Sequence, residues 1–414
     1  MITLDHCLAL DAMDPLAGFR EAFERAPGER IYLDGNSMGA MPRAVPARMA
    51  CALLDEWSTE RRHAWHSADW LDAPQRIGAA FAPLLGAAPE ELIAVDNTTL
   101  NLHKLLVYGL SLVANEPQRS TIIYERDGFP TDAHVVQGVV HQGIGRWRAR
   151  PIASQAELFS AMGTDVAMVV LSHADYRSSE RWDMARVNAL AHASGARVLW
   201  DLSHTAGVVP VELNAHRADF AVACSYKYLS CGPGAPALAF IRRDLQNRAW
   251  PAIPGWLGHA DRMNFVNDYQ PAPGMMSLIT GTMPVLQDAV ADCAAQIWAR
   301  VDPAQVFAKH RSLSGLLGQL LREQCAAFGV EPVSPLDHDR RGGHLAFRCP
   351  GGGATCEALL ASGVVGSFRQ PDVIRFGLAP LTVSHADLWQ AVARLRDILR
   401  EERWRESRFQ EVSV

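Results

Sequence analysis

Two stretches decide the fold of this chain: Ala196-Arg197-Val198-Leu199-Trp200-Asp201 and Phe220-Ala221-Val222-Ala223-Cys224-Ser225-Tyr226-Lys227. Each begins with an apolar run of strand length and ends in polar residues, and the turn Gly232-Pro233-Gly234 follows the second. Continuous apolar runs are typical of strands buried on both faces in a parallel sheet. Open α/β sheets bind ligands beyond the carboxyl ends of such strands. We therefore expect Asp201 and Lys227 to lie together at one edge of a sheet.

An aspartate and a lysine in this setting are the residue types that a pyridoxal phosphate site requires. The amine of Lys227 can form a Schiff base with the cofactor aldehyde, and the carboxylate of Asp201 can keep the ring nitrogen protonated. His204 follows three residues after Asp201 and could orient that carboxylate or contact the phosphate. Taken singly, the lysine could be a surface residue and the aspartate a helix cap. Their combination favours the cofactor site.

The composition is that of an ordinary globular enzyme. The chain has 414 residues, of which 49% are hydrophobic and 20% charged, and its formal net charge is -6. Nothing in this balance indicates binding to nucleic acid or to an anionic membrane. The eight cysteines form no Cys-x-x-Cys pair and no metal-ligand spacing, which predicts reduced thiols and no metal site. The N-terminus lacks a signal peptide and no apolar run is long enough to span a bilayer, so we expect a cytoplasmic protein.

Strand and helix patterns alternate through the first two thirds of the chain. This alternation predicts a three-layer α/β/α domain with a mostly parallel sheet over residues 46–290. The predicted strands are Leu92–Val95, Thr121–Tyr124, Val166–Ser172, Arg197–Asp201 and Phe220–Cys224. The predicted helices are Pro46–Trp57, Gln75–Leu85 with Pro83 disturbing its last turn, Leu100–Val113, Thr131–Val140 and Asp183–Ser194.

The pattern changes after about residue 285 and predicts a smaller α+β domain over residues 291–414. Its predicted elements are one or two helices in Val285–Phe328, strands Gly343–Arg348 and Val373–Phe376, and helices Ala354–Ser362 and Ser384–Glu401. Residues 1–45 are expected to form an N-terminal arm that packs with this small domain. The arm should contain one short helix, Pro15–Arg25, and a first strand, Ile31–Asp34.

Two further segments are candidates for holding the phosphate and the ring. Asp96-Asn97-Thr98-Thr99 stands between a strand and a helix, where backbone N–H groups and threonine hydroxyls can bind an anion. Tyr226 could add a phenolic hydroxyl. Phe129 follows another strand and could stack on the pyridine face. An ordinary N-cap and a core phenylalanine are the plainer alternatives.

Arg375 is a charged residue inside the apolar strand Val373–Phe376. A buried charge is costly unless it is paired, and the planar guanidinium suits a carboxylate that it can bind through two hydrogen bonds. Arg375 is therefore the candidate for binding the carboxylate of an amino-acid substrate. A structural salt bridge with an Asp or a Glu is the alternative.

Several motifs together resemble the kynureninases, hydrolases of the aspartate aminotransferase superfamily (fold type I pyridoxal phosphate enzymes). The resemblance covers essentially the whole chain. Its most specific parts are the short motifs around positions 129, 227 and 256. The motifs are Tyr32–Gly39, Asn101–His103, Phe129–Asp132, Trp200–Gly207, Ser225–Leu229, Gly255–His259 and Ile374–Gly377.

The resemblance implies cleavage of the Cβ–Cγ bond of L-kynurenine to anthranilate and L-alanine, in tryptophan degradation or in a route toward NAD. It implies catalytic roles for Lys227, Tyr226 and Asp201, with Phe129 stacked on the ring. The other cofactor contacts that it implies in the same subunit are Thr98, Thr99, Pro130, Thr131, Asp132, Ser172 and His204.

The resemblance also implies a homodimer with active sites shared between subunits. Trp256 and Thr282 match cofactor-contacting positions that family members contribute from the neighbouring subunit. Arg375 would bind the substrate α-carboxylate, with Ser37 and Trp65 lining the pocket for the aryl group. Animal members carry Asn where this chain has Thr282, so plain L-kynurenine is favoured over 3-hydroxykynurenine.

Two other readings share the fold. A cysteine desulfurase or class V aminotransferase would use the same cofactor, but a desulfurase needs a nucleophilic cysteine on a mobile loop. Cys349 and Cys356 flank a glycine-rich turn without matching that pattern. A catalytically inactive protein acting as a regulator would often have lost the lysine or the aspartate. Both are present here, at positions 227 and 201.

Overall fold

A seven-stranded sheet runs through the larger part of the molecule in the computed structural model, which describes residues 2–25, 28, 30–143 and 145–410. The strands of the described chain are β1 Ile31–Tyr32, β2 Leu92–Val95, β3 Thr121–Glu125, β4 Arg148–Ile152, β5 Val166–Ser172, β6 Arg197–Asp201, β7 Phe220–Ala223, β8 Ala237–Ile241, β9 Glu331–Pro332, β10 His344–Arg348, β11 Val364–Val365, β12 Ser367–Arg369 and β13 Val373–Gly377.

The α-helices lie mostly between these strands. They are α1 Leu4–Ala12, α2 Val45–Cys51, α3 Ala64–Ser67, α4 Ala73–Phe81, α5 Thr98–Ser111, α6 Pro130–Gln142, α7 Gln155–Ala161, α8 Met184–Ala193, α9 Val285–Trp298, α10 Pro303–Gln324, α11 Gly352–Ala361 and α12 His385–Arg400. None of the described helices combines the length and the apolar composition that a bilayer crossing requires.

The large sheet has the strand order β2-β8-β7-β6-β5-β3-β4, and β8 is its one antiparallel member in the described chain. Alternate residues of β5 enter different cores because side chains of a strand point to opposite faces. Val169 and Leu171 pack on the side of α4, α8 and α9, whereas Met168 and Val170 pack on the side of α5 and α6. The predicted three-layer α/β/α architecture with a mostly parallel sheet is confirmed.

The pairing of β5, β6 and β7 positions the ligand-binding edge. Ser172, the last residue of β5, lies opposite Asp201, the last residue of β6, and Asp201 lies opposite Val222 of β7. Three parallel strands therefore end side by side. The loops after these strands carry polar side chains into the same region.

The smaller part is built on the antiparallel sheet β12-β13-β10-β9, as the predicted α+β composition requires. Helices α10, α11 and α12 pack against it. The N-terminal segment joins this core: β1 pairs in parallel with β11, and Cys7 and Leu33 are buried among small-domain side chains. Helix α9 instead packs against α2 and α4.

The N-terminal arm differs from the prediction. A helix forms at Leu4–Ala12, and the segment expected to be helical from Pro15 to Arg25 contains only the short 3₁₀-helix Ala17–Ala22. Helix α1 carries little periodicity of its own, because Cys7 is its one buried residue. A tertiary contact holds it instead: the Asp11 carboxylate accepts hydrogen bonds from the backbone N–H groups of His385 and Ala386 and so caps α12.

Other differences are smaller. The expected helix Pro46–Trp57 is α2 followed by a π-helix over Ala52–Glu60. Strands β4 and β8 and helix α7 were not predicted. The effect expected of Pro83 is confirmed, since α4 ends at Phe81 and continues as the 3₁₀-helix Ala82–Leu85.

Gly39 allows the N-terminal segment to approach the loop that carries Lys227. Its N–H donates to the carbonyl of Tyr226 at 2.8 Å. A Cβ atom at this position would lie 2.2 Å from the carbonyl oxygen of Lys227, and backbone cannot yield to such an overlap at little cost.

We predict that Gly39→Ala lowers the melting temperature by at least about 5 °C, because the loop around Lys227 has to move. The matched control is Gly138→Ala in α6, where an added Cβ meets no atom within 4 Å. Helix propensity favours alanine there by about 1 kcal/mol, so the control should melt at or slightly above the wild-type temperature. Differential scanning calorimetry compares the two, and equal melting temperatures would contradict the steric argument.

Candidate active site

A cavity of about 250 Å³ opens at the edge where β5, β6 and β7 end. It brings together residues that the sequence places far apart, in loops after different strands. The predicted residues that line it are Thr98, Thr99, Phe129, Thr131, Asp132, Asp201, His204, Tyr226 and Lys227. Asn97, which belongs to the predicted anion-binding segment, also lines it, as do Ser203, Cys224, Ala235 and Ala237, which were not predicted as site residues.

Lys227 lies on the loop after β7, which several hydrogen bonds fix. The Ser225 hydroxyl donates to the carbonyl of Pro236 at 2.6 Å, and the Ser230 N–H donates to the carbonyl of Lys227 at 2.9 Å. The lysine Nζ lies 3.1 Å from His204 Nε2 and 5.9 Å from the centre of the Phe129 ring. The amine is therefore directed into the cavity between an imidazole and an aromatic face.

Asp201 and Asp132 form a pair of buried carboxyl groups with different surroundings. Asp201 accepts a hydrogen bond from the Ser203 N–H at 2.8 Å, and Asp132 accepts one from the Ser172 hydroxyl at 3.3 Å. Burial raises the pKa of both, and the charge of Asp201 raises that of Asp132 further. The Ser203 contacts and the Lys227 charge oppose the rise in the pKa of Asp201. Asp132 is therefore the more readily protonated of the two, and Asp201 the better placed to carry the negative charge.

The N-terminus of α5 forms the opposite end of the cavity. Asn97 caps this helix by accepting a hydrogen bond from the Leu100 N–H at 3.0 Å, and Thr98 and Thr99 occupy its first turn. The Asn101 side chain donates to the carbonyl of Val95 at 2.7 Å and holds the turn against β2. Backbone N–H groups of a first helical turn, next to two threonine hydroxyls, are a suitable site for a phosphate.

A buried ion pair supports the same turn from behind. Lys104 pairs with Asp96, and its ammonium also donates to the carbonyl of Leu278 at 2.5 Å. Asp96 has a positive φ of 44°, so the chain bends sharply between β2 and α5. This pair explains how a strained turn is held in place at the start of the helix.

The side chains around the cavity fit pyridoxal phosphate. The site offers an amine, a carboxylate, an aromatic face and an anion-binding helix start. Within the described chain, Asp132 Oδ1 is buried and has no hydrogen-bond partner. Polar atoms left unpaired at the wall of a cavity are suited to a ligand that supplies their partners.

Arg375 lies behind the cavity and does not line it. Its guanidinium donates to the Tyr176 carbonyl at 2.5 Å and to the Ser367 hydroxyl at 3.1 Å, and it lies 3.5 Å from the Ser37 hydroxyl. No described carboxylate forms an ion pair with it, although the nearby charge of Asp34 acts to raise its pKa. Burial is the main cause that lowers its pKa, to about 10, and it stays positively charged at neutral pH.

Tyr176 connects this arginine to the ring face, a connection that the sequence did not predict. Its carbonyl binds Arg375, and its ring meets the Phe129 ring edge-on at 5.6 Å. Asp34 was also missed as a site residue: it accepts a hydrogen bond from Ser37 at 2.7 Å. The motif containing Tyr32 to Gly39 was the signal for Asp34, whereas Tyr176 has no comparable signal because it binds through its backbone.

Trp65, Trp256 and Thr282 do not reach the Lys227 cavity of their own chain. The rings of Trp65 and Trp256 lie 5.9 Å apart, and Trp256 stacks with Phe265. Trp256 and Phe265 are exposed. Pro130 is the first residue of α6 and follows Phe129. Ser172 does not line the cavity itself, but its hydroxyl donates a hydrogen bond to Asp132, which does.

The family model and the curated relatives that match this chain point to the same family. A family model described as the kynureninase C-terminal domain matches residues 306–395. The kynureninase of Pseudomonas fluorescens is 37% identical over 411 residues, which is 99% of each chain. The kynureninase of Burkholderia mallei (strain SAVP1) is 38% identical over 410 residues, 99% of this chain and 98% of the relative.

Solved structures with the same fold are more distant in sequence. The cysteine desulfurase CsdA from Escherichia coli matches with a TM-score of 0.75 at 19% identity, covering 94% of this chain and 98% of that one. The cysteine desulfurase from Thermococcus onnurineus NA1 matches with a TM-score of 0.75 at 15% identity, and the match covers 93% of this chain and 98% of that one. At these identities the likeness shows the fold alone.

The charge assignment of the carboxyl pair gives a prediction. Asp132→Asn should keep pyridoxal phosphate affinity within about threefold, because an amide replaces the carboxyl group that is the more readily protonated of the pair and can still accept from Ser172. Asp201→Asn removes the charge and should weaken affinity at least about tenfold. Absorbance titration of the cofactor-free variants measures both, and the reverse order would contradict the assignment.

Proposed function

The chain belongs to the kynureninase family, and from that premise we propose that the Lys227 cavity is where it binds pyridoxal phosphate and hydrolyses L-kynurenine to anthranilate and L-alanine. The convergence of Lys227, Asp201 and the α5 N-terminus in one cavity supports this most directly. The proposed parts of the chain are an arm of residues 1–45, a large domain of residues 46–290 and a small domain of residues 291–414. Its free cysteines are compatible with a cytoplasmic location.

The residues that would hold the cofactor divide by the part of it that they face. Thr98, Thr99 and Tyr226 would hold the phosphate, and Phe129 would cover one ring face. Lys227 would bind the aldehyde carbon. Asp201 would keep the ring nitrogen protonated. Pro130, Thr131, Asp132, Ser172 and His204 would contact or support the ring substituents.

When bound, the cofactor supplies an aldehyde for the substrate amine and a protonated ring that accepts electron density from Cα. The freed amine of Lys227 would then remove the Cα proton as a general base. Its contact with His204 Nε2 keeps the amine within the cavity while the substrate occupies its place. Asp201 holds its charge in the interior, where an electrostatic interaction is strong.

Tyr226 is the proposed proton donor near the phosphate. Burial raises the pKa of its phenol to about 12, so the hydroxyl keeps its proton at neutral pH and donates hydrogen bonds. The net reaction adds water: its oxygen goes to the γ-carbonyl carbon, which becomes the carboxylate of anthranilate, and Cβ receives a proton. Arg375 would fix the α-carboxylate through two parallel hydrogen bonds, with Ser37 beside it.

The thiols argue against the desulfurase alternative. All eight cysteines are free, and burial raises the pKa of each of them, Cys349 and Cys356 to about 12. A nucleophilic cysteine needs the opposite shift, because the thiolate is the reactive form. L-Kynurenine is proposed over its 3-hydroxy derivative because Thr282 replaces the Asn of the animal enzymes.

A homodimer is proposed because the aromatic residues near Trp65 lie apart from the cavity and are partly exposed. Leu54 and Trp57 on the neighbouring π-helix are exposed as well, and large apolar patches of this kind mark interaction sites. A second copy of the chain would cover them and bring its own Trp256 and Thr282 to the Lys227 cavity. Symmetric dimers use one patch on both partners.

Lys227→Ala should lower the rate of anthranilate formation from L-kynurenine at least about 10³-fold, because it removes the amine that binds the cofactor and moves the proton. Anthranilate fluorescence measures the rate, and added ethylamine should restore a small part of it. Sulfide release from L-cysteine by the wild type serves as the control for the alternative. Substantial steady-state turnover in K227A would overturn the assignment.

Mixing K227A with Trp256→Ala tests whether sites are shared. If Trp256 acts in the neighbouring subunit, half of the re-associated dimers contain one complete site, and activity should return to about a quarter of the wild-type value. Each variant alone should stay far less active. No gain on mixing, with exchange confirmed by mass spectrometry, would show that Trp256 does not complete the neighbouring site.

A further inference from the structure

Two histidine rings from different domains meet at the inner wall of the cavity. His204 follows β6, and His344 begins β10 in the small domain. The ring centres lie 5.5 Å apart and the rings meet edge to face. Both side chains are almost completely buried. Backbone hydrogen bonds hold the two segments together. The Gly343 N–H donates to the carbonyl of His204 at 3.0 Å, and the Gly342 N–H donates to the carbonyl of Ser179 at 2.8 Å.

The partner of His204 determines which of its ring nitrogens carries the proton. Its Nε2 lies 3.1 Å from Lys227 Nζ, and an ammonium can only donate. Nε2 is therefore the acceptor, and the proton of the neutral ring is on Nδ1. Burial and the nearby positive charge of Lys227 lower the pKa of this imidazole well below its usual value, so the ring is neutral.

The partner of His344 leads to the opposite arrangement. Its Nε2 lies 3.4 Å from the backbone carbonyl of Arg177, which can only accept. Nε2 therefore carries the proton, and Nδ1 is a bare acceptor. Burial and the charge of Arg375 lower the pKa of His344 well below its usual value, so this ring is neutral as well.

The two remaining nitrogens are complementary. His204 Nδ1 is a donor and His344 Nδ1 is an acceptor, and both are buried without a hydrogen-bond partner among the described residues. An unpaired buried donor and an unpaired buried acceptor on touching rings each cost free energy, and joining them removes both costs.

We propose that His344 is a positioning residue for the reaction: its Nδ1 accepts the Nδ1 proton of His204 through one bridging water, and so fixes Nε2 of His204 as the acceptor that faces the Lys227 amine. The inference rests on the proposed function only for its catalytic consequence. The arrangement of protons is a property of the chain itself.

The consequence concerns the direction of the Lys227 lone pair. A neutral amine that donates an N–H to His204 points its lone pair away from the imidazole, toward the substrate. Without His344, the His204 proton can move to Nε2, and the imidazole then competes for that lone pair. The charged groups around the pair are Lys227, Arg375 of β13 and Arg369 of β12. All three are cationic, so they favour neutral rings and leave the choice of tautomer to the hydrogen bonds.

Nitrogen-15 NMR of the full-length protein labelled with ¹⁵N-histidine tests the arrangement directly. Spectra are recorded as purified and after removal of the cofactor, and loss of signals in His204→Asn and His344→Asn identifies the two rings. The cofactor-free wild type should show His204 protonated on Nδ1 and His344 on Nε2. Either ring in the other tautomer, or charged at neutral pH, overturns the proposal whether or not the enzyme cleaves L-kynurenine.

Three substitutions separate positioning from structure. The Asn oxygen of H344N can replace the Nδ1 acceptor, the Gln nitrogen of H344Q can replace only the Nε2 donor, and H344F replaces neither. H344N should keep the Nδ1 proton on His204 and at least about half of kcat, whereas H344Q and H344F should shift that proton toward Nε2 and lower kcat about tenfold or more with little change in KM. Equal losses in all three variants, or a loss confined to KM, would indicate a purely structural role and overturn the proposal. If H344F fails to fold, the comparison of H344N with H344Q decides.

Discussion

The parallel pairing of β5, β6 and β7 is the constraint on which the site depends. It ends three strands at one edge of the sheet, so that Ser172 and Asp201 are neighbours across strands and the loop carrying Lys227 begins beside them. Both faces of these strands are buried, which makes their register costly to change, because a shift by one residue would turn every side chain to the other face. The position of Asp201 is therefore fixed by the same apolar packing that stabilises the large domain.

The edge of the sheet supplies only half of the site, and segments distant in sequence complete it. Gly39 binds the backbone of Tyr226, and Gly343 binds the backbone of His204. Tyr176 of the large domain in turn binds Arg375 of the small one. Each contact uses a backbone group of at least one partner, so these segments approach one another closely at the cavity. A relative motion of the domains would change the distances at the Lys227 amine and at the Arg375 guanidinium together.

The sequence predicted the elements whose cause is local. The strand Val166–Ser172 was predicted with its observed bounds, because a continuous apolar run of this length is typical of a strand buried on both faces. Asp201 and Lys227 were identified because they stand just beyond two such runs. Helix α1 was missed, because its stability comes from Asp11 capping α12 at the other end of the chain. His344 and Tyr176 were missed for a related reason. One acts from another domain and the other through a carbonyl, and neither property is visible in a residue's immediate neighbours.

The buried cationic side chains differ in the partners that surround them. Lys104 and Lys309 are buried, and each has a carboxylate partner that offsets its desolvation, Asp96 and Asp14 respectively. Arg375 is as deeply buried, but hydroxyl and carbonyl oxygens alone surround it at hydrogen-bond distance among the described residues. Neutral oxygens orient a guanidinium without neutralising it, and the nearby Asp34 carboxylate, whose charge acts to raise the pKa of Arg375, forms no ion pair with it. The two buried lysines each have a carboxylate partner, whereas no carboxylate in the described part of the chain forms an ion pair with Arg375, which favours the proposed role of this arginine in binding a ligand.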